Sequence, residues 1–480
     1  MIFTSLQFLL FFPAVCVLYF LLKGRRASTM LVAASYVFYM AWEPSYSLLL
    51  IFKTLLSYFT ALRMDAAEDQ RSRKRWLMVS LVGYLGLLFF FKYFNLFSWS
   101  SEVVLGWLGF DLKLPRSGFL LPVGISFFTF QALSYSIDVY RRVRPAESDL
   151  LIHALYVSFF PQLVAGPIER STTLLPQLQH TFPFDYRRVV SGLQLMAWGF
   201  FKKLVIADRL ADYVDQVYAD PTAFDGMHLT VATVFFAYQI YCDFSGYSDI
   251  AIGASKVLGY DLMENFRQPY FSASVQGFWR RWHISLSTWF RDYLYIPLGG
   301  NRVPLLRRHA NLFIVFLLSG LWHGASWTFV VWGALHGFYM VFGDVTREWR
   351  LGLARSLGLT RVPALRRALQ VATTFVLVDI AWIFFRADTM GDAFHVLTHL
   401  HVGWATAGDL YLGLGAYEFW LGVTAVAIME TAHFFQRSVR LRDAIAEMPV
   451  FVRWSLYYGC VMGVLFFGKT GAAKFIYFQF

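Results

Sequence analysis

Charge is what this 480-residue chain is short of: Asp, Glu, Lys and Arg together make up 15% of it, where about 25% is ordinary for a soluble domain. So thin a polar coat cannot cover a soluble body in which 57% of residues are hydrophobic, which excludes most soluble enzymes. Cysteine is nearly absent, and Cys16, Cys242 and Cys460 lie far apart in apolar surroundings, with no metal-ligand spacing and no evident disulfide. Low-complexity segments and tandem repeats are missing, so a collagen, a coiled coil and a disordered chain are excluded as well. There is no G-x-x-x-x-G-K-[ST] phosphate loop and no nucleic-acid module, so no nucleic-acid partner is expected.

What is present is apolar and aromatic, with 50 Phe, 26 Tyr and 16 Trp. The class that remains is an all-α polytopic membrane protein. At about 20 residues per span, the apolar content suits about 10 to 12 transmembrane helices. The net charge of +11 is then simplest to read as basic loops on the cytoplasmic side. The first apolar run, MIFTSLQFLLFFPAVCVLYFLL, has no basic segment ahead of it and is followed by Lys23, Arg25 and Arg26, so it reads as a retained first helix. Further runs fall near 28–42, 45–62, 77–99 and 119–138, and the loops between them alternate in charge. The basic loops Lys23–Arg26, Arg71–Arg75 and Arg141–Arg144 then face the cytoplasm and the N-terminus lies outside.

The middle is less regular. Runs near 151–166, 189–206 and 229–255 are interrupted by Pro, Gly or charge, and between 256 and 310 there is no clean span. Apolar runs resume at 311–343, 366–385, 413–435 and 449–468. Irregular backbone within a membrane protein needs protein or water around it, so the working part is expected there. One membrane domain over 1–480 is expected, with its core motifs at about 119–343 and its C-terminal helices at about 366–480.

Within FWRRWHISLSTWFRDYLYIPLGGNR, the spacing predicts an amphipathic helix. Trp279, Trp282, His283, Leu286, Trp289, Phe290 and Tyr293 share one face, and Arg280, Arg281 and Arg291 turn away from it. His283 in the middle of an apolar face is either a buried packing histidine or a working one. In NLFIVFLLSGLWHGASW, a helix entering the bilayer at Asn311 carries His323 about 18 Å deep, near the midplane. An ionisable group at that depth is a functional hypothesis by default, and a neutral imidazole able to accept a proton is expected. Gly320 and Gly324 allow close approach of a neighbouring helix or substrate. His336, in the similar GALHG, is a local rival. Asp243 and Asp249 in YQIYCDFSGYSDIAIG read as polar glue and capping at a broken helix, ahead of acid–base work or a cation path. FPQLVAGPIER reads as a re-entrant turn. His395, His399 and His401 contain an i, i+4 pair but no supporting carboxylate or Cys ligands, so no metal is expected.

Taken together, WRRWHISLSTWFRDYLYIPLGG and LSGLWHGASWTFVVWGALHG resemble the membrane-bound O-acyltransferase (MBOAT) family. Within it they resemble most the branch that O-acetylates bacterial alginate and the related D-alanyl transfer proteins of teichoic-acid modification. LLPVGISFFTFQALSYSIDVYR, FPQLVAGPIER, GFFKKLVIAD, DFSGYSDIAIG and MENFRQPY agree, and the likeness covers roughly 1–390. The resemblance implies a ring of helices around a tunnel in the bacterial cell inner membrane. It makes His323 the catalytic histidine and His283 the second active-site position. It implies acetyl-CoA as the acyl donor substrate, with no bound cofactor. Arg280, Arg281 and Arg302 could attract its phosphates. It further implies a periplasmic SGNH-hydrolase-like partner and an exopolysaccharide such as alginate as final acceptor. Cellulose, peptidoglycan, teichoic acid and lipid remain alternative acceptors. A transporter built around Asp243, Asp249 and Asp379, or a non-catalytic scaffold, is the rival from another class.

Overall fold

The computed structural model describes residues 1–404, 409–436, 444–445, 447–469 and 475–476. Among the described residues every regular element is helical, which is how a chain in lipid satisfies its own backbone groups. Six helices are long and apolar enough to cross a membrane: Pro44–Ala66, Gln70–Trp107, Tyr186–Ala219, Trp327–Val345, Pro363–Arg386 and Val450–Phe467, with Leu6–Leu21 a shorter apolar helix. The chain is an all-α, multi-pass membrane protein. It divides into two compact units, one of Met1–Met196 with Tyr247–Met263, the other of Ala197–Gly246 with Glu264–Phe480.

The first unit holds α1 (Leu6–Leu21), α2 (Arg25–Met40), α3 (Ser47–Ala66), α4 (Gln70–Leu88), α5 (Phe94–Trp107), α6 (Ile125–Tyr140), α7 (Leu150–Ser158), α8 (Phe160–Leu163), α9 (Ser171–Leu178) and most of α10 (Tyr186–Phe200). Side-chain oxygens start several of them: Ser5 accepts from the Phe8 amide at 3.2 Å, Asp69 from Ser72 at 2.7 Å and Asp149 from Leu151 at 2.8 Å. The helices are tied by a polar seam. Lys53 on α3 donates to Thr129 on α6. Ser57 lies 2.5 Å from His153 Nε2 on α7, and Ser80 on α4 donates to Thr60 at 2.9 Å. Arg73, 2% exposed, donates to the carbonyls of Met64, Val139 and Tyr140 at 2.7, 2.8 and 3.0 Å, closing the ends of α3 and α6. The FPQLVAGPIER segment is buried in this unit, and its Glu169 accepts from the Met263 amide at 2.6 Å.

The second unit holds α11 (Asp208–Ala219), which continues α10 through a π turn at Phe201–Ala207, and the start of α12 (Gly226–Leu258). After an extended stretch come α13 (Val275–Trp279), α14 (Ile284–Phe290), α15 (Leu305–His323), α16 (Trp327–Val345), α17 (Arg347–Ser356), α18 (Pro363–Arg386), α19 (Met390–His399), α20 (Ala416–Gln436) and α21 (Val450–Phe467). Its core is aromatic, centred on Phe236, Tyr270, Phe278, Trp282, Trp332, Trp382 and Phe385.

Three expectations change. The broken helix expected at Asp243 and Asp249 is the unbroken 33-residue α12. Lys203 Nζ sits 2.5 Å from Asp243 and neutralises it, so the polar stretch is accommodated without interrupting the backbone. The apolar run 311–343 is two helices, because the chain turns at Gly324–Ser326 and Ser326 caps α16 by accepting from the Thr328 amide at 3.3 Å. The amphipathic helix expected from Phe278 until Pro297, Gly299 and Gly300 end it is interrupted at 280–283, and that interruption belongs to the site.

Candidate active site

The helices α15 and α16 form an antiparallel hairpin, held by backbone against backbone. A Cβ on Gly320 would meet the Phe329 carbonyl at 2.3 Å, and one on Gly333 would meet the Phe316 carbonyl at 2.4 Å. The small residues marked as an approach site therefore bring the hairpin's own second arm close. His323 ends α15 at the tip of this hairpin and is 3% exposed. Its ring stands edge-to-face with Trp332 at 4.9 Å between centroids and with Phe385 at 5.5 Å.

His283 sits where α13 stops and α14 starts, with φ of 42°. A non-glycine residue in this left-handed region costs about 1–3 kcal/mol and persists only where its surroundings enforce it. Residues before α13 do so. The Arg267 amide donates to the Arg281 carbonyl at 2.9 Å, and the Ile284 amide to the Asn265 carbonyl at 2.9 Å. Asn265 Oδ1 accepts from the Ser285 amide at 3.2 Å and its hydroxyl at 2.9 Å. These bonds replace the helical ones that the 3-to-4 spacing predicted. The aromatic face survives the break: Trp279, Trp282, Leu286, Trp289 and Phe290 are all buried. His283 is fully buried, edge-on to Phe244 at 4.6 Å. It lies outside the six spanning helices, and burial pushes its imidazole down to about 3, so it is uncharged at neutral pH.

The two histidine rings lie 6.2 Å apart, with Trp322 5.8 Å from His283. Phe244, Trp322, Trp332 and Phe385 thus pack against a pair of imidazoles.

The other sequence candidates fall elsewhere. His336 accepts from Trp279 Nε1 at 3.2 Å within aromatic packing. Asp243 is structural: besides Lys203, which also reaches Asp208 at 2.7 Å, it accepts from the Ile476 amide at 2.7 Å. Asp249 belongs to the first unit. His395 and His399 stack at 4.0 Å, with His399 Nδ1 2.9 Å from the His395 carbonyl, and no group of three or more His, Cys, Asp or Glu suited to a metal occurs among the described residues. Arg280 and Arg302 are exposed and Arg281 half-buried, whereas Arg291 pairs with Asp292 at 2.7 Å. The sequence reading passed over Asn265, Phe244 and Phe385. Only Asn265 left a signal, as a polar residue in the MENFRQPY segment bordering the stretch without a span.

A multi-pass helical protein with two buried histidines brought together in an aromatic interior is the class that fold and site define. Residues 28–351 match the membrane-bound O-acyltransferase (MBOAT) family, and the chain belongs to it: it is a membrane-bound O-acyltransferase. It is similar to the probable alginate O-acetylase AlgI of Pseudomonas aeruginosa, with 42% identity over 81% of this chain and 73% of that protein. The Azotobacter vinelandii protein of the same name is 41% identical over 82% of this chain and 77% of its own length. The peptidoglycan O-acetyltransferase of Helicobacter pylori is 34% identical over 89% and 84%.

Proposed function

We propose that this protein takes an acetyl group from cytoplasmic acetyl-CoA and passes it across the bacterial inner membrane for O-acetylation of an exopolysaccharide, alginate being the polymer its relatives' names favour. The observation that carries this reading is the closeness of His323 and His283, two buried rings 6.2 Å apart. Rings at that separation can serve one acyl carbonyl and the hydroxyl that attacks it.

His323 accepts the proton of the incoming hydroxyl as its oxygen bonds to the thioester carbon. The carbon–sulfur bond then breaks, and the departing thiolate recovers that proton from the imidazolium. General-base catalysis of this kind contributes about 10²- to 10⁴-fold. His283, uncharged, donates from its ring N–H to the acyl oxygen as negative charge develops there. The aromatic surround strengthens both contacts and protects the thioester from hydrolysis. Arg280, Arg281 and Arg302 attract the phosphates of the donor, and the loss of affinity with added salt would report them. An SGNH-hydrolase-like partner in the periplasm receives the acyl group and completes the transfer to the polymer.

His323→Ala is expected to abolish polysaccharide acetylation while the protein stays in the membrane. Normal acetylation in that variant would end the proposal. His283→Ala is expected to lower the rate strongly at unchanged expression. The Helicobacter pylori relative favours peptidoglycan as a second reading of the acceptor. Mass spectrometry of surface glycans from a deletion strain separates the two, since only the true acceptor loses its acetyl groups.

A further inference from the structure

A cavity of about 170 Å³ opens in the second unit beside Phe385 and Phe329. Phe385 both lines it and packs against the His323 ring, so the cavity stops one aromatic ring short of the imidazole. It lies at the Arg386 end of α18, about 30 Å along the helix from Arg366 and Arg367 at the other end. By the rule that basic loops face the cytoplasm, that is the side opposite the donor.

Two features of its wall bear on what enters. Gln239 lines the cavity, is 6% exposed, and its Oε1 has no hydrogen-bond partner among the described residues. A buried amide oxygen left in this state has lost its water without compensation, which an arriving donor would return. The rim is acidic. Asp215 and Asp388 are 57% and 76% exposed, and Arg386 between them is 2.8 Å from Asp215 and 3.9 Å from Asp388. Counted over the described residues that line it, the mouth carries one net negative charge, which repels an anionic chain and leaves a neutral one unhindered.

We infer that this cavity is the acceptor subsite, that it admits an uncharged hydroxyl-bearing group, and that Gln239 Oε1 accepts a hydrogen bond from that group. The inference rests on the reading of His323 as the base and adds the residues that choose what reaches it. A hydroxyl donating to Gln239 anchors the acceptor so that a neighbouring hydroxyl is directed at the imidazole. The acidic rim turns away a uronate chain, so a polyanionic polymer does not approach the membrane site directly.

Binding separates this inference from the catalytic reading, because it needs no turnover. Full-length protein in lipid nanodiscs is titrated with a neutral mannose disaccharide and with the corresponding mannuronic acid disaccharide, by saturation-transfer NMR. The neutral sugar is expected to bind and the acidic one to bind at least fivefold more weakly. Gln239→Leu, close in volume, is expected to raise Kd for the neutral sugar at least tenfold, and Gln239→Asn to recover part of the loss. Asp388→Asn is expected to narrow the gap between the two sugars. His323→Ala is expected to bind as the unaltered protein does while transferring no acetyl group. No saturation transfer to the neutral sugar, or equal Kd in the unaltered protein and Gln239→Leu, would overturn the inference and leave the role of His323 standing. Full acetyl transfer by His323→Ala would overturn the catalytic reading instead.

Discussion

The polar seam of the first unit and the histidine site of the second bury polarity in opposite ways. In the first, Lys53, Arg73, Ser57, Thr60, Ser80 and His153 are each spent on another helix, as donor or acceptor across the packing. In the second, the interior around His283 and His323 is lined by rings, and the backbone at His283 is held where that residue type rarely goes. Intramembrane polar residues therefore do not all carry the same meaning. Those that close helix ends or bridge neighbouring helices report assembly, and those enclosed by apolar rings under backbone strain are candidates for chemistry.

This contrast can be broken by substitution. The largest effect is expected at Arg73. Arg73→Ala takes the guanidinium from the carbonyls of Met64, Val139 and Tyr140; Val139 keeps the Arg142 amide at 3.1 Å, so the cost falls on the other two, at about 1–3 kcal/mol each. Thermal unfolding in detergent is expected to shift by many degrees while acetyl transfer per folded molecule stays the same. A fall in specific activity at unchanged stability would mean that the first unit takes part in chemistry. Asn265→Ala tests the second unit from the other side. With the two side-chain bonds to Ser285 gone, the turn at His283 loosens, and the rate of acetyl transfer is expected to fall about tenfold, with a destabilisation of about 1–3 kcal/mol. Asn265→Asp retains an acceptor oxygen and is expected to recover part of the rate.

The smallest effect is one of pH. Burial pushes the Glu169 carboxyl from an ordinary 4.5 up to about 7. Between those values the folded chain holds a proton that the unfolded chain has released. The stability tied to that proton is fully present below pH 4.5 and falls away as pH rises through 7. Glu169→Gln, which stays neutral, is expected to melt at a higher temperature than the unaltered protein at pH 8 and close to it at pH 4.5. Parallel melting curves at both pH values would show that Glu169 is ionised in the fold.

Much of this was legible beforehand. The apolar runs located the helices because, in lipid, hydrophobic length and helix length are the same requirement. The residues flanking His283 and His323 pointed to both as a pair. What escaped was non-local. The break before α14 is made by Asn265 and Arg267, whose bonds reach over α13, and periodicity within 278–302 carries no trace of them. The continuity of α12 depends on Lys203, forty positions before Asp243. Gln239 looks like one more residue of an apolar helix until the ends of α16 and α18 are placed around it.

The touching backbones of α15 and α16 also act as a register lock. With Gly320 against Phe329 and Gly333 against Phe316, neither arm can slip along the other without atoms colliding. One residue inserted between Gly320 and His323 would swing the imidazole by about 100° around the helix axis, out of reach of its partner ring. Length in this short stretch is thus as tightly constrained as the identity of the histidine itself.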